Sequence, residues 1–226
     1  MSSIPTIKVV LIGESGVGKT CIINQFISNK FDPDQSSSLS AQFISKTLEF
    51  KDINKTLKFD IWDTAGQERF RSLAKIFYKD AKVICLCYDI TSKPSFEALT
   101  KFWYEKEIKE NVEGEPVLVV VANKNDLYLS QTVPNNNGRE FAKEINAIFQ
   151  STSAQSTEDI NLLFDNIGHK IFNPDFNVIE KENKEKNEFE KKKQENKNQV
   201  YIPQTQSRGV KIENKIMEKK KKKCCN

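Results

Sequence analysis

The sequence predicts an α/β fold: a six-stranded, mostly parallel sheet with helices on both faces, plus a flexible C-terminal tail. Three observations carry this. Strand-like and helix-like segments alternate from Ile7 to about Phe172. Val83–Tyr88 and Val117–Ala122 are unbroken apolar runs, as strands buried on both faces require. From Lys181 to Asn198 the chain is almost wholly Lys, Glu, Asn and Gln, with Phe189 the one apolar residue. Such a stretch cannot bury enough surface to offset its ordering entropy.

The elements follow in order. Ile7–Ile12 is a strand-like apolar run, and Lys19–Ser28 reads as the helix after it. Phe43–Lys51 and Thr56–Trp62 read as two strands joined by a turn at Asp52–Lys55. Gln67–Lys79 and Ser95–Asn111 read as helices that flank the strand Val83–Tyr88. Val117–Ala122 is followed by a helix over Asn137–Asn146 and a short strand near Ala147–Ser151. Thr157–Phe172 carries Ile160, Leu163, Phe164, Ile167 and Ile171 on one helical stripe, and Ser156-Thr157-Glu158-Asp159 supplies a capping-box start. Ligands in such sheets sit at the carboxyl ends of the strands.

Net charge separates the body from the tail. From Asn173 onward 15 Lys+Arg stand against 9 Asp+Glu, a net of +6, whereas the preceding residues carry −2. The body is therefore not a basic nucleic-acid binder, and the tail is the part that should feel an anionic surface. The expected domains are 1–172, a folded body, and 173–226, the tail. No apolar run approaches the roughly 20 residues that span a bilayer, and Met1–Thr6 lacks the character of a secretory signal. Five cysteines, with Cys85 and Cys87 inside an apolar strand, do not form a disulfide framework, and core packing is the expected role of that pair.

Gly13-Glu14-Ser15-Gly16-Val17-Gly18-Lys19-Thr20 fits G-x-x-x-x-G-K-[ST], between a strand and a helix as the motif requires. Its glycines let backbone N–H groups close around phosphate oxygens, and the helix N-terminus adds positive charge. Gly13, Ser15, Gly16, Val17 and Gly18 are the expected cradle; Lys19 should reach the β- and γ-phosphates, and the Thr20 hydroxyl should ligate Mg²⁺. The fold is then that of a P-loop NTPase. Asp63-Thr64-Ala65-Gly66-Gln67 follows a strand end. Asp63 suits Mg²⁺, Gly66 offers its N–H to the γ-phosphate, and neutral Gln67 suits orienting an attacking water. In Asn123-Lys124-Asn125-Asp126, the Asp126 carboxylate can accept two hydrogen bonds from guanine N1–H and its 2-amino group, a pair adenine lacks. The Lys124 stem can lie over the base, and Asn123 can bond its edge. Ser153, Ala154 and Gln155 form the other wall.

With these blocks in order, the chain resembles the Ras-like small GTPases over Ile7 to about Phe172. Trp62-Asp63-Thr64-Ala65-Gly66-Gln67-Glu68-Arg69-Phe70, Phe77-Tyr78-Lys79-Asp80-Ala81 and Tyr88-Asp89-Ile90-Thr91 resemble its Rab branch. The resemblance implies a monomeric GDP/GTP switch directing vesicle traffic, with slow hydrolysis, an exchange factor, an activating protein and effectors. It implies that Phe31 stacks edge-on against guanine and that Phe43, Trp62 and Tyr78 form an aromatic trio read by effectors. It places a hydroxyl ligand for Mg²⁺ at Ser38, where the family has threonine. Serine lacks the β-branch that restricts χ1, so a looser GTP-bound first switch is expected. Ser40 replaces a common glycine, and Gln155 replaces the family's lysine; since that wall works mainly through backbone, a modest loss at most is expected.

Lys219–Lys223 is an uninterrupted basic run before Cys224-Cys225-Asn226, which resembles the Rab double-geranylgeranyl signal. Prenyl chains on Cys224 and Cys225 and the adjacent lysines would hold the protein on the cytoplasmic face of intracellular membranes, cycling through the cytosol on a lipid-shielding carrier. Rival readings are a GTP-holding scaffold, opposed by Gln67; a P-loop kinase, opposed by Asn123–Asp126; and a non-Rab signalling GTPase, opposed by the paired cysteines.

Overall fold

The computed structural model describes residues 3–32, 42–63, 77–178 and 181. The chain divides into two units, Met1–Glu180 and Lys181–Asn226; of the second, Lys181 alone is among the described residues. Ser38, Ser40, Gly66, Gln67, Cys224 and Cys225 lie outside the described residues, as does most of the helix expected over Gln67–Lys79.

Six strands form one sheet in the order β2-β3-β1-β4-β5-β6. They are β1 (Thr6–Ile12), β2 (Gln42–Phe50), β3 (Lys55–Asp63), β4 (Val83–Asp89), β5 (Val117–Asn123) and β6 (Ile148–Ser151). β2 runs antiparallel to β3, and every other pairing is parallel. Register explains the apolar runs. Val9 and Leu11 of β1, Cys85 and Cys87 of β4, and Val119 and Val121 of β5 point into one core. Val10, Ile12, Ile84, Leu86, Val120 and Ala122 alternate with them and point into the other. Each of these three strands thus buries both faces, the arrangement that removes the polar alternation of a half-exposed strand. Cys85 and Cys87 pack in that first core, as expected.

α1 (Lys19–Ser28) and α4 (Thr157–Phe172) cover the first face. Phe26 of α1 stacks on Phe164 of α4 at 3.6 Å, and both meet the edge of Phe59 from β3. After α4, Phe176 and Val178 remain packed on this core, so the body continues a few residues past Phe172. The second face is covered by α2 and α3. α3 is Asn135–Glu144. α2 is a helical run over 93–111, α-helical at Lys93–Ala98, widened to π geometry over Leu99–Ile108, and closed by Lys109–Asn111. Lys109 N–H accordingly donates to Tyr104 O, five residues back. The buried side chains Leu99, Trp103 and Ile108 follow at spacings of four and five, which keeps them on the core face of the wider turn. Among the described residues, no helix is long and apolar enough to cross a membrane.

Candidate nucleotide site

β1 ends at Ile12, and the chain must turn tightly to enter α1. Gly13, Gly16 and Gly18 take φ of 143°, 79° and 96°, backbone that L side chains rarely adopt. A Cβ on Gly13 would lie 2.2 Å from the Cys87 carbonyl oxygen, and one on Gly18 would lie 2.4 Å from Asn123 Nδ2. The loop is therefore pressed against β4 on one side and the end of β5 on the other. Val17 is buried at the bend, while Ser15 and Gly16 face outward.

Lys19 folds back over the loop. Its Nζ donates to Gly13 O at 2.8 Å and Glu14 O at 2.9 Å, spanning the turn from inside. Burial pushes this ammonium below the usual lysine range, opposed by the nearby Asp63 and Glu14 carboxylates. A desolvated cation held at the mouth of a glycine loop at a helix N-terminus is suited to anionic oxygens. One residue on, the Thr20 hydroxyl donates to Asp63 Oδ2 at 2.6 Å. Asp63 ends β3 and is 1% exposed. A hydroxyl and a carboxylate so close form a hard-oxygen donor set, the chemistry a small divalent cation requires.

The second half of the site comes from the ends of β5 and β6. Asn123 Nδ2 donates to Val17 O at 2.8 Å, and its Oδ1 accepts from Thr152 Oγ1 at 3.2 Å. This one amide ties the glycine loop before α1 to the loops after β5 and β6. Lys124 adopts the left-handed region (φ 66°), and its Nζ meets Asp89 Oδ2 at 2.7 Å. Asp89, which ends β4, also accepts from Thr91 N–H and Thr91 Oγ1. Asp126 is exposed and opens a 3₁₀ turn over Asn125–Ser130. Ser153 Oγ donates to Asp126 Oδ1 at 2.5 Å, and Gln155 Nε2 donates to its Oδ2 at 3.1 Å. Ala154 is buried between them. Phe31, 37% exposed just past α1, keeps an open aromatic face.

Two readings need correction. Tyr78 is 2% exposed and sits in the second core, so it cannot join an exposed trio. Phe77 takes that place: Trp62 lies 5.1 Å from Phe43 and 5.9 Å from Phe77, ring centre to ring centre. Phe43 is the most open of the three, at 53%. Lys8 Nζ stands 4.9 Å from the Trp62 ring centre and donates to Lys79 O at 2.8 Å, bracing the patch from the sheet side. The capping box also forms only by half. Ser156 Oγ accepts from Asp159 N–H at 3.1 Å, but the Asp159 carboxylate turns outward to Ser153 N–H and Asn125 Nδ2.

Sequence reasoning missed several contacts, those of Asp159 with Asn125 and Ser153 among them. Trp103 Nε1–H donates to Glu14 Oε1 at 3.0 Å, and Lys124 pairs with Asp89. Asp89 was recognisable as a carboxylate at a strand end, the position that marked Asp63. Nothing local to Trp103 points to the phosphate loop.

The model of the Ras family matches residues 8–173. The chain is similar to the Ras-related protein Rab-22A of Homo sapiens, 38% identical over 172 residues, which are 76% of this chain and 87% of that protein. It is 40% identical to Rab-31 of Mus musculus over 171 residues, 76% of this chain and 86% of the relative. It is 38% identical to Rab-30 of Homo sapiens over 157 residues, 70% and 75% of the two chains. With a braced phosphate loop tied through Asn123 to a carboxylate-bearing base loop, the chain belongs to the Ras family of small GTPases, in its Rab branch.

Proposed function

We propose that this Rab-type GTPase is a GTP/GDP-controlled switch in vesicle traffic whose nucleotide is read at both ends by one connected site. The observation that carries this is the Val17–Asn123–Thr152 tie, which makes phosphate cradle and base wall a single unit. Gly13, Ser15, Gly16, Val17, Gly18, Lys19 and Gly66 hold the phosphates. Phe31, Asn123, Lys124, Asp126, Ser153, Ala154 and Gln155 hold guanine. Binding one nucleotide at two loops of different strands uses the whole carboxyl edge of the sheet.

The hard-oxygen pair Thr20 and Asp63, with Ser38 as third protein ligand, fits Mg²⁺. When bound, that ion neutralises phosphate charge. Lys19 supplies a second fixed positive charge. Gln67 orients the attacking water, while an activating protein supplies an arginine, worth about 10³–10⁵ in rate. Phe43, Trp62 and Phe77 form the effector patch. Residues 1–172 carry the switch, and 173–226 carry Lys219–Lys223 and the prenylated Cys224 and Cys225. The monomer cycles between cytosol and the cytoplasmic face of endomembranes with an exchange factor and a prenyl carrier.

The test compares GTP and ATP binding, then single-turnover hydrolysis, in wild type and Gln67→Leu. Guanine preference with slow turnover that Gln67→Leu abolishes supports the assignment. Equal affinity for GTP and ATP, or activator-stimulated turnover unchanged in Gln67→Leu, overturns it.

A further inference from the structure

The two base loops spring from different strands, Asn123–Asp126 after β5 and Ser151–Gln155 after β6. Their backbones touch once, where Asn125 N–H donates to Thr152 O at 3.0 Å. Side chains join them directly at Asn123–Thr152 and at Asp126, and a carboxylate that belongs to neither loop bridges them as well. Asp159 Oδ2, in the first turn of α4, accepts from Asn125 Nδ2 at 2.9 Å and from Ser153 N–H at 2.9 Å. Ser153 carries the constraint onward. Its Oγ accepts from Gln155 N–H at 3.1 Å and donates to Asp126 Oδ1, while Gln155 Nε2 holds Asp126 Oδ2.

Asp126 itself is exposed, and an exposed carboxylate is free to rotate unless its oxygens are held. Here both oxygens are held, and each keeps a lone pair for a base. The anchor is rigid, because Ile160, Leu163 and Phe164 of α4 are fully buried.

We propose that Asp159 is a positioning residue for guanine selection: it holds Asn125 and Ser153 together and so fixes the carboxylate of Asp126 against the base edge. This rests on the guanine reading above. Gln155 completes the same chain through its side chain, a contribution beyond the backbone role expected from the sequence. An acid in the first turn of a helix also favours the helix dipole. That effect acts on stability and does not distinguish one base from another.

The experiment uses the full chain and reads GDP, inosine diphosphate and ADP binding, GDP dissociation and thermal midpoint. Inosine lacks the 2-amino group, so a displaced Asp126 costs GDP two bonds and inosine diphosphate one. Asp159→Ala should speed GDP dissociation roughly tenfold, as for loss of one hydrogen bond to a charged group, and narrow the GDP-over-inosine preference. Asp159→Asn should restore both, since its amide oxygen can accept the same two bonds. Asn125→Ala should shift both in the same direction by less, and it carries the test if Asp159→Ala fails to fold. A lower thermal midpoint with the base preference intact in these variants would reduce Asp159 to a structural cap and overturn the inference. Wild type binding ADP as well as GDP would mark failure of the guanine reading, and the inference falls with it.

Discussion

Trp103 and Glu14 are 89 residues apart, yet the indole N–H donates to the Glu14 carboxylate at 3.0 Å. Glu14 also presents its backbone carbonyl to Lys19 Nζ. The widened part of α2 therefore braces the glycine loop that leads into α1. Trp103→Phe keeps an aromatic body in the buried slot but removes the donor. It should lower unfolding free energy by about 1.5–3 kcal/mol, the range for a bond to a charged acceptor, and speed GDP dissociation. Urea denaturation and nucleotide-release kinetics measure these; no change in either means the bond contributes nothing net.

The aromatic patch separates two adjacent residues by role. Phe77→Ala and Phe43→Ala should weaken capture of effectors by the GTP-loaded form. Tyr78→Ala should instead destabilise the fold by about 3–5 kcal/mol, as truncation of a buried aromatic does. Burial already pushes the Tyr78 phenol upward. Affinity capture compared with thermal denaturation distinguishes them, and equal effector loss from a well-folded Tyr78→Ala would reverse the assignment.

Gly168 in α4 has no space for a methyl group. A Cβ there would lie 2.0 Å from Phe50 Cζ, and the Phe50 ring is pinned edge-on between His169 and Phe172. Gly168→Ala should gain about 1 kcal/mol of helix propensity but lose more, up to about 3 kcal/mol, to overpacking, a net loss of up to about 2 kcal/mol. Calorimetry would show the sign, and a stabilised variant would mean that Phe50 swings away freely.

Burial pushes the Cys87 thiol from 9.0 up to about 12, partly offset by Lys19. Below about pH 9 the thiol is protonated in folded and unfolded chains, so its contribution to stability is intact. Between about 9 and 12 the unfolded chain ionises first, and this contribution is lost as pH rises. Cys87→Ser or Cys87→Ala should lessen the fall of stability across that window, the buried Cys85 thiol, also raised, keeping part of it. At pH 8, Cys85 and Cys87 should resist alkylation until the protein unfolds. Labelling of either in the native state at the rate of an exposed thiol would contradict this.

What the sequence revealed, and what it hid, follows the range of each interaction. α1 begins at Lys19 and α4 at Thr157 because a glycine loop and a serine cap mark them locally. The paired strands were readable because burial on both faces leaves an unbroken apolar run. The helix at 93–111 was legible, but its π geometry was not, since that geometry answers to packing of Leu99, Trp103 and Ile108. Phe77 and Tyr78 are neighbours of similar character, and which one turns inward depends on helix phase. The outward turn of Asp159 competes with its own cap, and only the approach of two distant loops decides it. The motif residues at the site declared themselves; the contacts that brace them, Glu14 with Trp103 and Asn125 with Asp159, required the fold.

The antiparallel pairing of β2 with β3 has a kinetic consequence. Phe50 opposes Lys55 across a tight turn, so this ladder can zip from its own loop. Each parallel pairing instead waits for a crossover to close a long stretch of chain, with the entropy that closure demands. Amides of 42–63 should thus gain protection from solvent exchange ahead of those in β5 and β6 when refolding is pulse-labelled, making the hairpin beneath the Phe43–Trp62 pair the earliest nucleus of the molecule.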